Sequence, residues 1–236
     1  MSNVITFGGT PLSNFSLYNN GGGTYNAPAK DYSMIAIQGR SGDLLYDNKR
    51  FENYDLTYAS CWIADNFETN IANLRAYLLS RNGYQRLEDT YHPTEFRMAV
   101  CKNAMEIDVD MYNKFGSFDL VFNCKPQRFL KSGETKTTLT SNRVINNPTL
   151  FNSQPLLRVY GTGNVGIGSY TITILEADTY TDIDCELMDA YKGTASKNDK
   201  IRLSNYTFPV LTPGQNGISL GSGITRVEIT PRWWTI

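Results

Sequence analysis

Residues 52–83 read ENYDLTYASCWIADNFETNIANLRAYLLSRNG, and the fold class turns on the change of period inside this stretch. Up to Trp62 the chain alternates. Tyr54, Leu56, Tyr58, Ser60 and Trp62 fall on one face and Asn53, Asp55, Thr57, Ala59 and Cys61 on the other, as a half-buried strand requires. From Phe67 the apolar residues Phe67, Ile71, Leu74 and Leu78 recur at spacings of four, three and four, which places them on one stripe of a helix. Asp65 with Glu68 makes a capping box and Gly83 a stop, so the pattern predicts one amphipathic helix near 66–82 covering one face of a sheet.

Outward from that helix the signals are β. YSMIAIQGR before it predicts a strand ended by the turn GRSGD, and short alternations around 96–100, 105–111 and 116–123 supply further strands. The opening thirty residues, with NNGGGTYNAPAK, read as a loop or arm. A polar, threonine-rich run at 131–143 followed by NNPTLFNSQP marks a domain boundary. Beyond it, strands at 156–160, 170–175, 183–188, 201–203, 218–220 and 225–230 are separated by turn-rich segments. The expected class is mainly β: an α+β N-terminal domain over 1–132 and an antiparallel β-sandwich over 133–236.

Composition narrows the function classes. The 22 basic and 23 acidic side chains divide as 13 against 14 before residue 133 and 9 against 9 after it. Neither half has the positive excess that phosphate-backbone binding needs, so nucleic acid recognition is not expected. No apolar run approaches the ~20 residues of a membrane span, and MSNVITFGG lacks the basic start and apolar core of a signal peptide. Cys61, Cys101, Cys124 and Cys185 show no close pairing and read as reduced, packed thiols.

The motifs that tempt a chemical reading give way to plainer ones. GTGNVG at 161–166 spells G-x-G-x-x-G after a strand, but IGSYTITIL follows it, which is strand rather than the helix a dinucleotide site requires, so the glycines read as a hairpin turn. Glu106/Asp108/Asp110 and Asp182/Asp184/Glu186 stand at strand spacing opposite apolar partners and read as wet faces, not calcium loops. His92, the single histidine, precedes a proline and reads as a surface or turn residue without a nucleophile signature nearby. The sequons at 14–16 and 205–207 read as ordinary polar turns. No catalytic, cofactor or metal site is expected, and the chain does not read as an enzyme.

Two constellations point to interfaces. Arg40, Arg50, Phe51 and Tyr54 gather around a long polar turn and are candidate subunit contacts. At the other end, VEITPRWWTI puts Trp233 in register with Val227 and Ile229, so Trp233 closes the sandwich core, while Trp234 covers a domain or subunit seam. The competing use of Trp234, or of Tyr206, is as a stacking platform for host cell-wall saccharide.

The succession QGRSGDLLYDNKRFENYDLTYASC, LRAYLLSRNGYQRLEDT and YHPTEFRMAVCKNAMEIDVDMYNKFGSFDLVFNCKPQRFL resembles the N-terminal domain of the distal tail proteins of long-tailed phages infecting Gram-positive bacteria. NPTLFNSQPLLRVYGTGN, IDCELMDAYKG, FPVLTPGQNGISL and VEITPRWWTI are similar to the C-terminal domain of the same family. The resemblance implies a galectin-like C-terminal sandwich and a homohexameric ring formed by the N-terminal domains. It implies a baseplate hub between the tail tube protein and the tail lysin, tail fibre or receptor-binding protein, with the tape measure protein as a further partner. The location it implies is the virion tail tip, assembled in the host cytoplasm. The chain has no room for an inserted sugar-binding module.

Overall fold

The computed structural model describes residues 4–19, 25–63, 66–102, 108–110 and 115–236. The glycine-rich segment 20–24, Asp65 of the capping box, Glu106 and most of the strand expected at 105–111 lie outside them. The chain divides into two compact units, one up to Arg128 and one over Phe129–Thr235. The polar run at 131–143 is built into the second unit, with a 3-10 turn over Lys131–Glu134 and a strand over Thr137–Leu139 that pairs with Ile224–Thr230.

In the first unit an antiparallel sheet runs Thr10–Pro11, Ile5–Phe7, Gln85–Asp89, Glu95–Cys101, Phe115–Leu130, Tyr54–Ile63 and Leu17–Asn19 in spatial order. The helix spans Phe67–Leu79 and buries the expected stripe, Phe67, Ile71, Leu74 and Leu78. These side chains share one core with Phe7, Leu56, Tyr58, Leu120 and Phe122. The stripe forms because four large apolar groups on one face gain more by leaving water than the ordered backbone loses.

The strand Tyr54–Ile63 departs from its expected parity. Leu56 and Tyr58 are buried, but so are Cys61 and Ile63, while Ser60 is exposed. The register on Phe115–Leu130 shifts between Phe118 and Leu120, so Ala59 and Ser60 together face Asp119. Ser60 takes a left-handed φ of 55° and its N–H donates to Asp119 Oδ1 at 3.0 Å. This bulge inserts one residue and flips every side chain after it. Trp62 is thereby turned away from the core and stacks on Tyr18, ring centroids 4.7 Å apart.

The second unit is an antiparallel sandwich. One sheet orders Thr137–Leu139, Ile224–Thr230, Leu156–Gly161, Thr181–Asp184, Asp189–Lys192 and Ala195–Ser196, and the other Arg143–Asn147, Gly214–Leu220, Gly163–Ile167, Tyr170–Ile174 and Ile201–Leu203. Their inner faces meet in a core that includes Leu157, Val159, Ile183, Val227 and Ile229 from the first and Val165, Ile167, Ile172 and Ile218 from the second. Trp233, 5% exposed, belongs to that core.

GTGNVG is not a hairpin turn. Gly161 ends a strand of one sheet and Gly163 begins a strand of the other, with the hairpin itself at Gly168 and Ser169. Gly161 and Gly163 have φ of 100° and 130°, and a Cβ there would lie 2.1 Å from the Gly223 carbonyl oxygen and 2.4 Å from that of Ser222. The glycines therefore serve a tight crossing between sheets. The strand expected over 183–188 also breaks early, after Asp184. Asp184 Oδ1 accepts the N–H groups of Glu186 at 3.0 Å and Leu187 at 3.1 Å, which folds the backbone into a turn.

Candidate assembly surface

Among the described residues of the first unit, exposed large apolar side chains gather on the hairpin Lys30–Ile35 with Leu44–Phe51, which forms a two-stranded sheet of its own. Met34 opposes Leu45, and Ile35 opposes Leu44, with Ser33 opposite Tyr46. Because alternate residues point to opposite faces, one face carries Tyr32, Met34 and Leu45 and the other Ile35, Leu44 and Tyr46. Met34, Leu45 and Tyr46 are 64%, 52% and 61% exposed, and Ile35, Ile37 and Leu44 are exposed as well. A soluble hairpin normally buries one face, whereas this one leaves apolar side chains in water on both.

The polar end of the hairpin is organised. Asp31 accepts from Asn48 Nδ2 at 2.8 Å and from Arg50 Nε at 2.5 Å, and these hydrogen bonds hold its carboxyl below the ordinary value. Lys49 has a left-handed φ of 56°, where the register with Lys30 and Tyr32 shifts. The interface candidates are thus spread rather than clustered. Arg40 lies exposed in the connecting turn, its N–H donating to Ile37 O. Arg50 and Phe51 sit at the far end of the second strand. Tyr54 faces inward: it packs against the core and its hydroxyl accepts from Arg97 Nε at 3.0 Å. Sequence reasoning missed Met34, Ile35, Leu44 and Leu45, although the signal was present as apolar residues at both parities of one hairpin.

The large sheet of the first unit carries a buried polar network. Asp89 accepts from the Tyr58 hydroxyl at 2.8 Å and from the His92 backbone N–H at 2.8 Å, lies 3.0 Å from His92 Nδ1, and meets Arg97 at 3.5 Å. Burial alone would raise its pKa, but the Tyr58 and His92 hydrogen bonds and the nearby Arg97 outweigh it, so the carboxyl stays below its ordinary value. Burial and the Asp89 charge push the Tyr58 phenol well above its own. His92 is in a turn as expected, yet it is buried rather than on the surface, in a T-shaped contact with Tyr25 at a centroid distance of 5.2 Å.

In the second unit the acids at 182 and 184 do not line a wet face. Both are buried, Asp182 against the Arg158 guanidinium at 2.7 and 2.9 Å and Asp184 against that of Arg232 at 2.7 and 2.8 Å. Two forked ion pairs satisfy oxygens that a cation would otherwise claim. Glu186 remains exposed. Trp234 stacks on Phe151 with centroids 4.5 Å apart and donates from Nε1 to Asn152 O at 2.9 Å, contacts inside the same unit. Its ring face is already occupied, whereas Tyr206 is 96% exposed. The cysteines are free thiols, and burial pushes Cys61 up to about 11 and Cys124 and Cys185 up to about 12.

This architecture has known counterparts. No family model matches the chain, and no curated protein does. Among solved structures, it is similar to the Dit protein (gp 19.1) of phage SPP1, described as a paradigm of the hub of the adsorption apparatus in phages infecting Gram-positive bacteria, with a TM-score of 0.70 at 13% identity over 99% of both chains. It is also similar to a chain of the phage P2 baseplate in its activated conformation, with a TM-score of 0.52 at 10% identity, covering 97% of this chain and 98% of that one. The chain therefore shares the fold of that Dit protein over 99% of its length.

Proposed function

We propose that the protein is a structural hub of a phage tail tip, a distal tail protein that assembles as a homohexameric ring between the tail tube and the tip or receptor-binding apparatus. The observation that carries this reading is the hairpin with apolar residues on both faces, in a chain that shares the Dit fold over 99% of its length. A second copy is the natural cover for such a hairpin, because every protomer of a ring brings the same unsatisfied surface and the same neighbouring edges. Arg40, Arg50 and Phe51 would flank that contact. The partners it implies are the tail tube protein, a tail lysin or tail fibre, and the tape measure protein, in the virion tail tip after assembly in the host cytoplasm. It assigns the chain no catalytic step.

Native mass spectrometry of the full chain tests it. A six-copy species is expected, and Met34→Asp combined with Leu45→Asp is expected to give monomers with unchanged far-UV circular dichroism, since both side chains lie outside the core. A wild-type chain that stays monomeric at high concentration, or a double variant that still assembles, overturns the reading.

A further inference from the structure

A cleft of about 350 Å³ opens on the second unit beside the edge strand Ile201–Leu203. Its walls are mostly apolar, built by Met188, Ile201, Leu203, Tyr206 and Phe208, with Asn198 and Arg202 as the polar members. Met188 and Tyr206 are 67% and 96% exposed, and both hold left-handed φ of 55°. That conformation is uncommon for side chains of this size. Both are fixed by their surroundings: Met188 ends the turn organised by Asp184, and the Tyr206 N–H donates to Leu203 O at 3.3 Å. Backbone of this kind persists where the structure holds it in place, and it clusters at sites that bind.

The polar groups at the cleft decide what it suits. Asn198 is committed, its Nδ2 donating to Asp189 Oδ1 at 2.7 Å and its Oδ1 accepting the Ala190 N–H at 2.8 Å. Of the five arginines of the unit, Arg143 and Arg202 meet no carboxylate among the described residues, and Arg202 is the one that lines the cleft. Arg158, Arg226 and Arg232 each meet a carboxylate, while Arg202 is steadied only by the carbonyls of Ile201 at 3.0 Å and Asp199 at 3.4 Å. Among the described residues no carboxylate pairs with it, so an anchored cation stands beside an apolar recess without an anion. A saccharide needs several free amide or carboxylate partners for its hydroxyls, and no carboxylate lines this cleft.

We propose that the cleft docks an extended peptide segment of a partner protein in which a large apolar side chain stands next to a carboxylate. The apolar group fills the space between Met188, Tyr206 and Phe208, and the carboxylate meets Arg202 as a charge-assisted hydrogen bond. The cleft belongs to the second unit and the hairpin to the first, and either reading survives the failure of the other.

The full chain labelled with ¹³C at methionine methyls reports on the site through Met188. Four probes are titrated: acetyl-Phe-Asp-amide, acetyl-Phe-Lys-amide, acetyl-Gly-Asp-amide and chitotriose. A saturable shift of the Met188 methyl is expected with the Phe-Asp probe, with binding at least about tenfold weaker for the Phe-Lys and Gly-Asp probes. Arg202→Gln is expected to remove the preference for Asp over Lys, and Tyr206→Ala to weaken both, with circular dichroism unchanged because both residues are exposed. A Met188 signal that ignores every probe, equal response to the Asp and Lys probes, or stronger response to chitotriose overturns the proposal. Should a variant fail to fold, the probe series on the wild-type chain decides alone.

Discussion

Replacing the two adjacent tryptophans one at a time separates a core role from a covering role. Trp233 is 5% exposed and packs with Leu157, Val227 and Ile229, whereas Trp234 is half-buried and stacks on Phe151. A buried aromatic of this size removes about 150–250 Å² from water, about 4–6 kcal/mol at ~25 cal/mol per Å². Alanine keeps part of that, and large-to-small changes of tryptophan cost about 3–5 kcal/mol, so Trp233→Ala is expected near 4 kcal/mol. Trp234→Ala loses a stacked pair, about 0.5–1.5 kcal/mol, and one hydrogen bond of about 1 kcal/mol, for a total near 2 kcal/mol. The Trp233 carbonyl that accepts from Leu130 N–H at 2.8 Å is kept in both, so the difference isolates side chains. Against a typical stability of about 5–15 kcal/mol, the first loss is severe and the second tolerable. Urea unfolding of the full chain, followed by circular dichroism and calorimetry, measures both. If Trp233→Ala cost less than about 1 kcal/mol, or less than Trp234→Ala, the placement of the terminus in the core would be wrong.

Two further outcomes follow from particular groups. Asp89 has a folded pKa below its unfolded value, so its network stabilises the fold above the unfolded pKa of 3.8, and that contribution is lost as pH falls through the folded value. Wild type should therefore lose stability on acidification below about pH 4 more steeply than Asp89→Asn, itself destabilised at neutral pH; parallel pH profiles would refute the assignment. Gly161→Ala should cost several kcal/mol, because its Cβ would meet the Gly223 carbonyl oxygen at 2.1 Å in a conformation that disfavours side chains. A variant within about 0.5 kcal/mol of wild type in urea would show that the crossing between sheets relaxes.

The helix was legible because four large apolar groups at helical spacing leave one solution, and Trp233 because parity with Val227 and Ile229 survives the proline before it. The bulge at Ser60 was not, since what holds it is Asp119, a residue remote in sequence that the alternation itself cannot announce. Asp182 and Asp184 misled for a related reason. An acid opposite an apolar neighbour reads as solvated until its arginine is known, and Arg158 and Arg232 come from other strands or from the chain end. The glycines of 161–166 carry the composition of a hairpin, and only the close approach of Ser222 and Gly223 makes them a crossing. His92 failed likewise, its burial depending on Asp89 and Tyr25 together.

The hairpin at 30–51 has a kinetic side. Two strands without a third are marginal in water, so the free protomer carries exposed apolar side chains on an element that opens easily. Its amides should exchange with solvent long before those of the strands around Leu120, and sticky encounters between protomers begin there. Crowded synthesis of the chain alone is then a race between orderly pairing and precipitation, decided by how fast the ribbon is covered.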